Sequence, residues 1–411
     1  MDTKLSRRTF LTAPAAPVVI RWARASSSGL LEGVEHVKLH GNHGTYCGHP
    51  RQGGLFNFGS GEIAVLHYHA PCAYQRPEDV KHDFGGYHSR SVVLLQRSTD
   101  GGRNWPEENN VVVWNEAATL EHRLKMALSC FTSPRAKIDL FSPKAALWMG
   151  RTFLGPNRFG AFQMIAFSLR SGDKGASWEE VPSLISPPPG SFGSSADNAP
   201  MVYLPEQTLL FPMRSFGGRR GTSLYGSTDN GLSWHFRTHI SDTPDYPALV
   251  LLKSGRLQCY TYPMGMHYSD DLGKTWSERR SILPSGPSPW AANDPVYNEP
   301  LAHRSPMPLL LRDGRILILF ARRISPGLGM GLTVSEDGGR TWSRDCVLRN
   351  DASPSEKVQV SGTSHDYSDI GYPVATELED GRIFTAYYFM THDGNGFGGS
   401  RFLAGSFFKV T

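Results

Sequence analysis

An octapeptide of the form S-x-D-x-G-x-x-W occurs five times in this chain: STDGGRNW at 98–105, SGDKGASW at 171–178, STDNGLSW at 227–234, SDDLGKTW at 269–276 and SEDGGRTW at 335–342. Self-similarity of this kind marks an array of like units, each too small to bury its apolar face alone. The residue types suit a turn. An aspartate side chain accepts hydrogen bonds from turn amides. Glycine permits positive φ, and tryptophan packs beneath the turn between neighbouring strands. The octapeptides are therefore read as scaffold on an outer rim, not as reacting groups.

A second repeat lies upstream of the octapeptides. NAPMVYLPEQT (198–208), DYPALVLLKSG (245–255), RSPMPLLLRDG (304–314) and GYPVATELEDG (371–381) each carry proline at the third position, then an apolar run, then a turn. A second apolar run follows each: TLLFPMRS, RLQCYTY, RILILFARR and RIFTAYYF. Proline is tolerated at the first residue of a strand, and the D-G and S-G dipeptides form tight hairpins. GSGEIAVLHYHA (59–70) and KIDLFSPKAALWMG (137–150) supply two more hairpins, making six hairpins for five octapeptides. Hairpin, third strand, octapeptide turn and fourth strand make one propeller blade. The expected fold is all-β, a six-bladed β-propeller of four-stranded antiparallel blades. The last unit has no octapeptide and ends in the apolar FLAGSFFKV, so VEHVKLHG (34–41) is expected to complete it and close the ring. Closure removes exposed sheet edges. SPPPGSFGSS (186–195) is expected to link two blades.

The first 25 residues stand apart. SRRTFL (6–11), the apolar run TAPAAPVVI and the small-x-small ARA (23–25) resemble a bacterial twin-arginine export signal. The apolar run is too short to span a bilayer. The expected organisation is an export signal over 1–25 and one propeller domain over 26–411. The mature protein is expected to be periplasmic or secreted, with no membrane association after the signal is removed. A net charge of +4 spread along 411 residues offers no basic stripe for nucleic acid. The five cysteines form no C-x-x-C pair and no metal spacing. A Cys47–Cys72 pair and simple buried thiols both remain open.

These octapeptides and hairpins resemble the sialidase (neuraminidase) superfamily, the Asp-box or BNR-repeat propellers, over nearly the whole mature chain. In that fold the leading ends of the innermost strands converge on one pocket. The aligned segments place Asp197 and Asn198, Asp245 and Tyr246, His303 and Arg304, and Asp369 and Tyr372 there, with His49, Arg51 and Arg135 from the first two blades. The resemblance implies a tyrosine nucleophile assisted by a glutamate, an aspartate acid/base and arginines for a sugar carboxylate. A neutral nucleophile avoids repulsion by an anionic substrate, but its high pKa needs a neighbouring base. Carried onto this chain, the nucleophile is Tyr372, the acid/base Asp83 with Asp79 as rival, and the assisting residue Glu299. Substrate binding falls to Arg51, Arg135, Arg304, His49, Asp197, Asp245 and Asp369, with Arg322 and Arg323 as further arginines. The implied partner is a carbohydrate, an acidic glycan. No cofactor is called for.

The chain also departs from the family. The strand entering the fifth box, GLGMGLTVS, carries no arginine, and HPRQGGL stands where R-I-P is usual. His49, His67, His69, His82 and His88 crowd the first unit. Alternation puts His67 and His69 of HYH on one face of a strand, and HVKLH does the same for His36 and His40. No third ligand is assignable to either pair, so no metal is assigned. Three functions compete: an exo-glycosidase of sialidase type, a polysaccharide lyase acting on uronic acids through histidine and tyrosine, and a non-catalytic carbohydrate-binding propeller.

Overall fold

The computed structural model describes residues 29–82, 85–156, 162–196, 201–242, 246–262, 264–282, 303–343, 345–360 and 362–411. The short apolar runs pair with their neighbours in sequence into six antiparallel sheets, the blades of a propeller. Blade one places Thr45–Gly48 and Gly54–Gly59 along the inner side of Glu62–Pro71, followed by Val92–Ser98 and Val111–Asn115. The one-turn helix Pro50–Gly53 interrupts the inner strand. Gly53 is required there, because a Cβ would stand 1.9 Å from the Leu66 carbonyl oxygen. Blade three repeats the split, with Ser191–Ser195 and Val202–Leu204 both on Thr208–Gly218. Blade four runs from Ala248–Leu251 through Leu257–Thr261 and Gly265–Ser269 to Arg280–Ser281. Blade five runs from Arg304–Leu310 through Ile316–Arg322 and Gly329–Ser335 to Cys346–Arg349.

Blade six closes the ring as expected. Gly371–Glu377, Ile383–Phe389 and Phe402–Val410 come from the end of the chain, and Leu31–His40 adds the outer strand, with Leu31 opposite Val410 and His40 opposite Leu403. Two expectations are corrected. The segment 186–195 is not merely a linker, since Ser191–Ser195 is a strand of blade three. The hairpin expected over 137–150 instead pairs Ala146–Pro156 with Phe162–Ser171. Residues before Ala146 satisfy their backbone outside that sheet, through turns and side chains. Leu140 N–H donates to Asn230 Oδ1 at 2.9 Å, and the Ala136 carbonyl accepts from Arg170 at 3.0 Å. Blade two therefore has three strands among the described residues, the last being Ser183–Ile185. A hairpin of Glu356–Val360 and Thr363–Tyr367 between blades five and six was not anticipated.

The octapeptides behave as read. In the first, Asp100 Oδ1 accepts from the amides of Arg103 and Asn104 at 3.0 and 2.9 Å, and the Gly102 amide donates to Ser98 Oγ at 2.9 Å. Trp105 Nε1 closes the turn on the Gly102 carbonyl at 2.8 Å. The turns also lock each blade to the one before it. Gly273, at φ 86°, has no room for a Cβ, which would stand 2.3 Å from Leu224 Cδ2 of blade three. All five cysteines are free thiols, and only Cys130 is not buried.

Candidate active site

The inner strands begin with X-Pro, and this local sequence shapes the site. His49, Tyr246, Ser305 and Tyr372 each precede a proline and sit at φ 55°, 46°, 55° and 51°. A residue before proline is ordinarily extended, and left-handed backbone is costly for a tyrosine. Here it bends the leading ends so that Tyr246 of blade four and Tyr372 of blade six meet. Their hydroxyls hydrogen-bond, and the rings lie edge-on with centroids 5.1 Å apart. Tyr262 and Tyr388 complete a buried cluster of four tyrosines.

Guanidinium groups surround this cluster. Arg304 lies 5.0 Å from the Tyr246 ring centroid and 4.3 Å from that of Tyr262, with Nη2 3.4 Å from Tyr246 Oη. Arg214 of blade three stands 4.6 Å from the Tyr246 centroid. Its Nη2 shares Ser195 Oγ with Arg151 of blade two, at 3.4 and 3.1 Å. Arg323 stands 5.4 Å from the Tyr372 centroid and donates to Tyr388 Oη at 2.6 Å, Tyr367 Oη at 2.9 Å and the Ile370 carbonyl at 2.7 Å.

Asp369 anchors the other side. Its Oδ1 accepts from Tyr388 Oη at 2.5 Å, and its Oδ2 pairs with His82 Nε2 at 2.7 Å. Arg323 and Arg401 approach it at 3.4 and 3.9 Å. Burial opposes ionisation of this carboxyl, but His82, Arg323 and Arg401 hold it well below the usual carboxylate range. The His49 ring stands edge-on to Tyr372, centroids 4.4 Å apart, and Nδ1 bonds to Tyr87 Oη. Burial, then His82 and His88, pushes its pKa far down, so the imidazole is neutral. Its Nε2 has no hydrogen-bond partner among the described residues. Burial and Tyr246 raise the Tyr372 phenol, while Arg304 and Arg323 oppose them. The arrangement combines concentrated positive charge, phenols, one neutral imidazole and one anchored carboxylate. It suits an anionic ligand and proton transfer through Tyr or His.

The structure thus brings Tyr372, Arg304, Asp369, His49 and Arg323 together. Asp369 has both oxygens engaged internally, so its contacts give it a positioning role. Two expected substrate arginines are engaged elsewhere. Arg51 is fully buried, and its guanidinium binds the carbonyls of Pro306 at 2.5 Å, Pro247 at 3.3 Å and Tyr246. It therefore ties the leading ends of blades four and five together instead of presenting charge to a ligand. Arg135 pairs with Glu179 at 3.3 Å and Ser183 Oγ at 3.0 Å, beside the second octapeptide. Arg322 is taken by Asp345 at 3.1 Å, which also pairs with His303 at 3.3 Å. Asp79 accepts from the amides of Gln75 and Arg76 at 3.0 and 3.2 Å, capping its own turn. Asp83, Asp197, Asp245 and Glu299 lie outside the described residues.

Arg151 and Arg214 were missed, although a signal existed for Arg214. Arg151 sits on the first described strand of blade two, and Arg214 on the second strand of blade three. Antiparallel pairing returns the trailing part of that strand to the leading end of the inner one. Arg214 stands opposite Ser195, and Tyr388 opposite Gly371. Further along the inner strands, an axial cavity of about 280 Å³ is lined by residues such as Leu55, Asn57, Leu147, Met307, Leu309 and Thr376. Tyr372 and its arginines do not line it.

The fold has solved counterparts. A protein of unknown function from Dyadobacter fermentans superposes with a TM-score of 0.67 at 17% identity, covering 93% of this chain and all of that one. A Trypanosoma rangeli sialidase in complex with sialic acid gives 0.57 at 14% identity, covering 92% of this chain and 59% of its own. A Hadza microbial sialidase gives 0.50 at 16%, covering 88% of this chain and 65% of its own. This chain thus spans less than two thirds of either sialidase, and the likeness is one of fold. No curated protein matches the chain. Residues 90–385 match the BNR repeat-like domain, and the chain belongs to that family.

Proposed function

We propose that the protein is an exported exo-glycosidase of sialidase type that releases a terminal acidic sugar, with Tyr372 as nucleophile. The observation that carries this reading is the hydroxyl pair of Tyr372 and Tyr246 with Arg304 beside it and Arg214 and Arg323 around it. A guanidinium about 5 Å from a phenolate stabilises it by about 3 kcal/mol at an effective dielectric near 20, which offsets part of the burial that raises the phenol. The same cations attract the substrate carboxylate. In the first step the Tyr372 Oη–anomeric carbon bond forms as the glycosidic bond breaks. The leaving oxygen takes a proton from Asp83, and the phenolic proton passes to Glu299, the roles that the family resemblance assigns. Water, giving a proton to Asp83, then attacks the anomeric carbon as its bond to Tyr372 breaks, and Glu299 returns its proton to the phenolate, so the sugar leaves and the tyrosine is restored.

Tyr372→Phe removes the nucleophilic oxygen with little change in volume. Release of the fluorophore from a fluorogenic sialoside is expected to fall to background while circular dichroism is retained. Undiminished turnover overturns the assignment. The neutral His49 edge-on to Tyr372 favours a second reading, β-elimination from a uronic acid glycan. There the imidazole takes the proton alpha to the carboxylate, the arginines hold that carboxylate, and a tyrosine phenol protonates the leaving oxygen as its bond to carbon breaks. An absorbance rise from an unsaturated product identifies it, and saturable sugar binding without turnover identifies a binding module.

A further inference from the structure

The ring closure assembles a cluster that neither proposed reaction uses. His40 comes from the outer strand of blade six, Cys47 from the inner side of blade one, and His67 and His69 from the strand beside Cys47. Cys47 stands directly opposite His69 in the register of that pair. One ligand atom from each of the four residues lies within 4.8 Å of every other. We propose that His40, Cys47, His67 and His69 form a zinc-type metal site, Cys-His₃, that staples the closing strand to blade one.

Three independent observations carry this. Zinc is held tetrahedrally with Zn–N of ~2.0–2.1 Å and Zn–S of ~2.3 Å, which sets neighbouring ligand atoms about 3.3–3.7 Å apart. His40 Nε2 and His69 Nδ1 are 3.2 Å apart, and Cys47 Sγ and His69 Nδ1 are 3.6 Å apart. A hydrogen bond alone would account for the first of these spacings, but not for His67. That ring is 0% exposed, and although the Leu94 backbone lies close by, neither ring nitrogen meets it in good hydrogen-bond geometry. Buried polar groups are ordinarily satisfied, and a metal ion at the centre of this cluster satisfies His67. Finally, His40 turns its Nδ1 to Glu107 Oε1 at 3.4 Å and its Nε2 to the cluster. An outer carboxylate on the far nitrogen is how ligand histidines are oriented.

The charges close as well. A histidine binds a metal through a neutral ring nitrogen. The divalent cation replaces the Cys47 thiol proton, which leaves to solvent. The resulting thiolate and Glu107 together balance the metal's two charges. Four protein donors with no open position describe a structural site. Because the donors come from two blades, metal binding free energy becomes folding free energy.

The test uses the full chain stripped with a chelator and titrated with zinc or cobalt(II). The expected result is one equivalent bound, a sulfur-to-cobalt charge-transfer band, and a zinc-dependent rise in the thermal midpoint. Cys47→Ser is expected to lose the band and the rise. Glu107→Gln, at an exposed position, should weaken zinc binding by about 10-fold, the lower end of outer-shell effects. The wild-type spectrum needs no variant, so a Cys47→Ser protein that fails to fold does not rescue the proposal. Failure of the stripped wild type to bind zinc or cobalt(II) at micromolar concentration overturns it. So does metal binding without a thiolate band, or a band that survives in Cys47→Ser.

Discussion

Asp369→Asn isolates the charge at the centre of the candidate site. The change keeps the shape and removes one negative charge from a position that is 8% exposed. Asp369 faces His82 at 2.7 Å, Tyr388 at 2.5 Å, Arg323 at 3.4 Å and Arg401 at 3.9 Å. An asparagine accepts through one oxygen only and turns an NH₂ toward groups that donate. Arg323 and Arg401 remain buried without their counter-charge. Breaking a buried pair by removing one partner costs about 3–5 kcal/mol. Denaturant unfolding with linear extrapolation measures the loss. The pH dependence supplies an independent check. The folded carboxyl titrates well below its ordinary value, so its stabilisation is fully present above the unfolded pKa of about 3.9 and is lost as pH falls toward the folded value. The stability gap between wild type and Asp369→Asn should therefore be widest near neutrality and shrink below about pH 4. A gap under about 1 kcal/mol at neutral pH, or one that does not shrink in acid, refutes the reasoning, since it falls short of any buried charge pair.

Gly273→Ala forces a Cβ into Leu224 at φ 86°, and left-handed strain plus overpacking predicts a loss of about 2–4 kcal/mol by denaturant titration. Arg304→Met should raise KM for an acidic-sugar substrate by about 10–100-fold, the worth of a charge-assisted hydrogen bond, and leave KM for a neutral glycoside unchanged. Deleting residues 1–41 removes the strand Leu31–His40 and exposes the Phe402–Val410 edge, so light scattering should report association where the full chain is monodisperse.

The array was legible because it is written locally. Ser, Asp, Gly and Trp act within eight residues, and an X-Pro strand start followed by an apolar run needs no distant partner to be recognised. The leading ends followed from the same alignment, which is why Tyr372, Arg304 and Asp369 could be named together. Where the Arg51 guanidinium goes was not legible. Its position in the repeat resembles a ligand's, and only the packing of Pro247 and Pro306 against it turns its charge toward carbonyls. The same holds for Arg135, whose guanidinium pairs with Glu179.

The histidines mark the boundary most clearly. Alternation paired His67 with His69 correctly, but it also paired His36 with His40. A bulge between Lys38 and His40 breaks the second pairing, sending His36 to Ser406 at 2.8 Å and His40 to His69. Period and turn chemistry are properties of neighbouring residues, so the chain alone specified the number of blades, their order and the strand that closes them, though not the hairpin of blade two. Which side chains share a cavity depends on register, bulges and competing partners set by strands hundreds of residues apart. Those interactions exist only once the ring has closed.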